Sequence, residues 1–172
     1  LGIVSPIGIG IRESWKALCE GRSGIGRITK FDPTPYETQI AGEVKGFKAE
    51  DWMSKKEAKR FELFISYAIA ATRMAVDDAG IAITAENGDR VGVITGCGLG
   101  GLRFMEDTVL IIHQNGPKRV SPFFIPMMIG NMAPGMISIL FGARGPNLSL
   151  ATACAAGAHA VGDSFKVIQE GR

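Results

Sequence analysis

Arg90-Val91-Gly92-Val93-Ile94-Thr95 is a short, β-branched run that ends on a knot of glycine, Gly96-Cys97-Gly98-Leu99-Gly100-Gly101. A run of this kind reads as a strand buried on both faces of a parallel sheet. Leu102, Met105, Val109 and Ile112 follow at helical spacing and stop near Asn115-Gly116. Strand, glycine turn and helix thus come in the order of a layered α/β fold. A second pass of the same kind lies further on, where Asn147-Leu148-Ser149-Leu150-Ala151-Thr152 alternates as a strand. Ala155, Ala158, Gly162, Phe165 and Ile168 then continue as a helix with an unusually small-residue face, and Cys154 falls at the junction.

The remaining segments fit around these two passes. Ile11, Trp15 and Leu18 mark a short helix stopped by Gly21, with its apolar face directed at a sheet. Residues 24–36, with Pro33 and Pro35, read as a loop leading into an extended segment over 39–44. From Lys56 to Ala79 one long, largely buried helix is predicted, with Phe61, Phe64, Ile65, Ala68, Ile69 and Thr72 on its apolar face and Gly80 as its stop. Asn131 is placed to cap a further helix that tolerates Pro134 in its first turn and ends at Gly142.

Composition narrows the function classes. At 46% hydrophobic and 21% charged, the 172-residue chain lies within the globular range, with one domain over 1–172 as the default. Its 19 basic and 17 acidic residues leave a net charge of +2, which excludes a general nucleic-acid binder. No apolar run approaches the roughly 20 residues that cross a bilayer, and no export signal opens the chain, so a cytoplasmic protein is expected. Cys19, Cys97 and Cys154 are widely spaced, and with only His113 and His159 beside them neither a disulfide framework nor a metal site is expected. The chain opens without methionine and stops at Gly171-Arg172 just after a helical pattern, so it reads as a piece of something longer.

Two constellations carry competing chemistry. Gly96, Gly98 and Gly101 match the G-x-G-x-x-G pattern of a dinucleotide-binding oxidoreductase, in the required strand-to-helix context. The acidic residue that should follow about 20 positions later is missing, and the other reading is that glycine lets backbone or an acyl chain approach closely. Cys154, at a strand-to-helix turn, sits beside the unpaired N–H groups of a helix start, where the field favours thiolate and the same donors can hold an oxyanion. A buried, inert cysteine is the alternative from position alone. His159 lies five residues on, about 500° around the helix, so it faces elsewhere and is read as a capped or packed histidine rather than the base for this sulfur. Lys56, Lys59 and Arg60, with Lys118 and Arg119, are either solvated faces or a dock for an acidic partner.

Ala151-Thr152-Ala153-Cys154-Ala155-Ala156-Gly157-Ala158-His159, together with Ser5-Pro6-Ile7-Gly8, Trp15-Lys16-Ala17-Leu18, Gly96 to Leu102, Ser121-Pro122-Phe123-Phe124, Asn131-Met132 and Arg144-Gly145-Pro146, resembles the N-terminal half of the type II β-ketoacyl-acyl carrier protein synthases. The resemblance runs end to end. It implies a thiolase-like layered α/β fold, of which this chain is the first half of a duplicated unit, truncated at both ends. Cys154 is then the nucleophile that takes the acyl chain from the phosphopantetheine of acyl carrier protein. Decarboxylative condensation with malonyl-acyl carrier protein follows, lengthening the chain by two carbons. Leu99 matches the gate of the acyl pocket, and Phe123 a residue that lines the partner protomer's pocket. Lys56, Lys59, Arg60, Lys118 and Arg119 match the positive face that meets the acidic carrier protein. The resemblance also implies a homodimer in which 147–152 pairs with its mate across a two-fold axis, and no metal or diffusible cofactor. It assigns two catalytic histidines, a supporting lysine and a glycine-rich gating loop to the C-terminal half, so this stretch by itself is not expected to complete a condensation. A polyketide-type ketosynthase or a thiolase relative would keep the cysteine and change the acyl donor.

Overall fold

The computed structural model describes residues 1–171. The chain divides into two compact units, one formed by 1–52 with 70–81 and the other by 53–69 with 82–172. Among the described residues the strands form three two-stranded pairs.

In the first unit, β1 (Val4–Ser5) and β2 (Gly8–Ile9) form an antiparallel hairpin, and α1 (Ile11–Cys19) follows from Gly10, whose φ of 91° needs glycine. The sequence directs Trp15 and Leu18 of α1 inward; the structure reverses this. Ser14 and Ala17 are buried, while Trp15 and Leu18 are exposed. The reason is closeness of approach: Ser14 donates its hydroxyl to the Gly8 carbonyl at 3.2 Å, and a Cβ on Gly8 would lie 2.9 Å from the Ser14 nitrogen. Only small side chains fit a helix seated so tightly on backbone. β3 (Ile25–Arg27) and β4 (Ile40–Gly42) complete this unit's strands as a second antiparallel pair.

The second unit opens with α2 (Lys55–Ala58), started by a capping box in which Ser54 and Glu57 satisfy each other's backbone N–H groups. The single helix expected over Lys56 to Ala79 is two. After α2 the chain turns, with the Arg60 and Phe61 N–H groups both bonding the Glu57 carbonyl, and α3 (Leu63–Ala79) begins afresh. Periodicity alone does not reveal the break, because the apolar spacing runs straight through it. The part of α3 up to Ile69 supplies Ile65 and Ile69 to a core completed by Ile137, with Phe61, Phe64, Val93, Met132, Met136 and Leu140 packed around them. Full burial of side chains of this size is worth about 1.5–3 kcal/mol each.

β5 (Val93–Gly96) carries the strand predicted over 90–95, with Arg90 placed instead in a 3-10 turn, Gly88–Arg90. It is half-buried and not enclosed on both faces. The glycine turn leads into α4 (Leu102–Asn115), which ends at Gly116, and α5 (Phe124–Met128) and α6 (Met132–Phe141) follow. Asn131 occupies the position before α6 but makes no capping bond with its side chain, while Gly142 closes the helix at φ 74° as expected. β6 (Asn147–Leu150) runs parallel to β5, with Val93 opposite Asn147 and Gly96 opposite Leu150.

That register is locked from both ends. Arg144 and Gly145 donate their N–H groups to the carbonyls of Gly88 and Val91 at 2.8 and 2.9 Å, and Val93 donates to Pro146 at 2.8 Å. At the other end Cys97 donates to Leu150 at 2.9 Å, and Asn147 fixes β6 to α6 through the Pro134 carbonyl at 2.9 Å. α7 (Ala156–Gln169) closes the unit. Its buried residues are Ala156 and Ala160, while Phe165 and Ile168 are exposed. In α4, Leu102, Met105, Val109 and Ile112 are exposed and Thr108 is buried, its hydroxyl donating to the Phe104 carbonyl at 2.7 Å. The apolar stripe exists, and no described residue covers it.

Candidate active site

β6 delivers the chain to a single 3-10 turn, Ala153–Ala155, from which α7 departs, and Cys154 is the middle residue of that turn. Cys154 is exposed. The turn is held by the Ala155 N–H bonding the Thr152 carbonyl at 3.1 Å, and by an unusual backbone at Ala153, whose φ of 49° lies in the left-handed region. A non-glycine residue in that region is strained, and such strain clusters where a side chain must be presented sharply. Beyond the turn, α7 begins at Ala156, whose N–H is bonded to the Ala153 carbonyl and ties the helix start to the turn.

The glycine turn forms the other wall. A Cβ on Gly96 would collide with the Ala156 carbonyl, and one on Gly98 would stand 3.6 Å from the Ala153 Cα. On its far side, Cβ atoms on Gly100 and Gly101 would collide with the carbonyls of Met128 and Met127, and the Gly101 N–H donates to Met128 at 2.9 Å. These positions are thus filled by the protein's own backbone. The close approach of backbone at Gly96 and Gly101 supports the close-packing reading of these glycines over the dinucleotide one. Leu99 projects from this turn, 78% exposed, and Cys97 steadies it by accepting the Gly100 N–H on its sulfur at 3.3 Å.

His159 makes a hydrogen bond through Nδ1 with the Thr152 hydroxyl, at 2.7 Å, consistent with a histidine that ties the turn to α7. Phe123 stands at the head of α5, partly exposed, and the Arg60 guanidinium lies over its ring at 5.0 Å from the centroid. Lys56, Lys59, Lys118 and Arg119 are exposed. Lys56 lies in α2 and Lys59 caps it, whereas Arg60 has left the helix. The Arg60–Phe123 contact joins two residues singled out for separate reasons, and no local spacing announces it. Among the described residues no group of histidine, cysteine, aspartate and glutamate is arranged to hold a metal, and no helix is long and apolar enough to cross a membrane.

The sequence pattern of the family described as "Beta-ketoacyl synthase, N-terminal domain" matches residues 1–172, and the chain belongs to this family. Among its relatives, "3-oxoacyl-[acyl-carrier-protein] synthase 2" of Synechocystis is 47% identical over 171 residues, covering 99% of this chain and 41% of that protein. The proteins of the same name from Vibrio harveyi and Staphylococcus aureus are 47% and 45% identical, with 41% and 42% of their lengths covered. The chain therefore spans about two fifths of the length of these relatives. The architecture agrees. It superposes on the ishigamide ketosynthase/chain length factor with a TM-score of 0.80 at 28% identity, covering 99% of this chain and 43% of that one. It also superposes on a type II polyketide ketosynthase solved with its acyl-carrier protein, at 0.79 and 21% identity, covering 99% of this chain and 45% of that one. The fold is the thiolase-like one, in its N-terminal half.

Proposed function

We propose that the protein to which this chain belongs is an elongating β-ketoacyl-acyl carrier protein synthase, with Cys154 as its acyl acceptor. The observation that carries the reading is an exposed cysteine in a strained strand-to-helix turn, inside the family's cysteine signature. In the first step the Cys154 thiolate attacks the thioester carbonyl of an acyl chain on carrier-protein phosphopantetheine. The oxyanion that forms is met by the backbone N–H of Cys154. Its collapse breaks the carbon–sulfur bond to pantetheine, whose thiolate leaves and takes a proton, and the acyl chain remains on Cys154 at thioester energy. In the second step malonyl-carrier protein loses carbon dioxide, and the carbanion attacks the Cys154 thioester. The cysteine thiolate is expelled and a β-ketoacyl chain two carbons longer is released. Groups assigned by resemblance to the C-terminal half serve that step.

The remaining assignments extend this reading. Leu99, exposed on the turn beside the nucleophile, gates the acyl chain, and Phe123 contributes to the pocket of a partner protomer. Lys56, Lys59, Arg60, Lys118 and Arg119 receive the acidic carrier protein. The enzyme acts as a cytoplasmic homodimer joined along β6, and needs no metal or diffusible cofactor. Its acyl donors are those of fatty acid synthesis; the reading is supported by relatives at 45–47% identity named 3-oxoacyl-[acyl-carrier-protein] synthase 2, against 21% for the ketosynthase solved with a type II PKS acyl-carrier protein.

The test uses the full-length protein incubated with acyl-acyl carrier protein. Intact-mass measurement is expected to show one acyl group added per chain, and none in Cys154→Ala. An adduct of normal yield in that variant overturns the proposal.

A further inference from the structure

We propose that Arg60 is a positioning residue for acyl-chain selection, acting through Phe123, and not only a charge on the docking face. This rests on the reading above, in which Phe123 contributes to the acyl pocket of a partner protomer and the basic residues meet the carrier protein. The observation is the stacking of the Arg60 guanidinium over the Phe123 ring, 5.0 Å from its centroid. Arginine suits this role because its planar cation stacks on a ring face while its edge still donates to carboxylates.

Both partners are anchored where the stack needs them. The Arg60 N–H bonds the Glu57 carbonyl at 2.8 Å, so the break after α2 holds Arg60 off the helix and beside the ring. A continuous helix from Lys56 to Ala79 would not have had that turn. Phe123 precedes α5, donates its N–H to the Ser121 hydroxyl at 3.1 Å and accepts the Met127 N–H at 3.0 Å. The other end of α5 is the segment whose Met127 and Met128 carbonyls are cradled by Gly100 and Gly101, and Met128 accepts the Gly101 N–H. A contiguous path of packed groups thus leads from the basic face, through the ring and α5, to the turn that carries Leu99 and borders Ala153.

The geometry sets two demands on Arg60. A carrier protein draws its guanidinium toward acidic side chains, and the Phe123 ring holds it back. Binding of the carrier therefore alters the restraint on Phe123 at the moment the acyl chain enters, and loss of Arg60 alters that restraint even when no carrier protein is present.

The experiment exploits the second consequence. In the full-length enzyme, acylation of Cys154 is followed by intact mass with acyl thioesters of short, medium and long chains. Each is presented once on carrier protein and once on free pantetheine, which has no acidic surface. Arg60→Gln, Arg60→Lys, Phe123→Leu and the Arg60→Gln/Phe123→Leu double variant are compared with the parent. An exposed cation–ring contact predicts a change of about two- to fivefold in the ratio of long- to short-chain acylation by pantetheine thioesters in Arg60→Gln. Arg60→Lys is expected to recover part of it, and the double variant to change the ratio no more than Phe123→Leu alone. If Arg60→Gln slows only carrier-borne substrates and leaves the pantetheine profile unchanged, Arg60 is a docking charge alone; the inference falls and the proposed function stands. An additive double variant also overturns it. Absence of any acylation at Cys154 in the parent takes down both.

Discussion

Ala153 is the one non-glycine residue among those described with a positive φ, 49°, and it immediately precedes Cys154. An L residue in the left-handed region costs about 1–2 kcal/mol, whereas glycine there costs little beyond its extra freedom in the unfolded chain, about 0.5–1 kcal/mol. Ala153→Gly is therefore expected to raise stability by about 0.5–1 kcal/mol, read as a shift in the urea midpoint. Asp89 gives a pH-dependent prediction. Its hydrogen bond and ion pair with Arg144, at 2.7 Å, hold its carboxyl below the usual value of 3.8. A depressed carboxylate stabilises the folded state above the unfolded value and ceases to do so as pH falls through the folded one. Asp89→Asn is expected to be slightly less stable than the parent at pH 7, with the gap closing below about pH 4 in paired urea titrations. Cys154 and the basic residues stand out in the sequence because motif and charge are local properties, whereas Leu99 is singled out only through the resemblance. The strain at Ala153 was not, since alanine carries no mark of a left-handed backbone.

At the level of strands and helices, the glycines do the positioning. A Cβ at Gly96 would collide with the Ala156 carbonyl, so Gly96→Ala has to push the start of α7 away from β5. That substitution is expected to destabilise by about 2–3 kcal/mol and to slow acylation of Cys154, measured by denaturant unfolding alongside intact mass. The strand–glycine–helix order was readable because β-branched runs and glycine stops are both short-range signals. What was not readable is which face of each helix turns inward. α1 buries Ser14 and Ala17, and α7 buries Ala156 and Ala160, because each lies so close to its neighbour that only small residues fit. Hydrophobic periodicity weights size, and at such contacts size is excluded. The break between α2 and α3 escaped for a related reason: the capping pair Ser54 and Glu57 starts a helix clearly, but the apolar spacing continues past the four residues that end it.

Across the molecule as a whole, the net charge of +2 conceals a local excess on the surface formed by α2 and the turn before α5. Reversal of Lys56, Lys59 and Arg60 to glutamate in the full-length protein is expected to weaken binding to acyl carrier protein by about tenfold or more at low salt, with the difference shrinking as salt shortens the screening length below about 10 Å. Calorimetric titration at two ionic strengths checks it; equal affinity for parent and variant at low salt contradicts the docking assignment. Exposure of the α4 stripe and of Leu148, Phe165 and Ile168 was foreseeable only from resemblance to a larger protein, because periodicity reports that a face is apolar and not what covers it. β6 adds a further consequence. Only β5 flanks it among the described residues, so its other side offers amide and carbonyl groups that any extended peptide satisfies regardless of side chains. A nascent chain bearing such a seam is in a race on the ribosome, where the right mate has to arrive before a stray neighbour does.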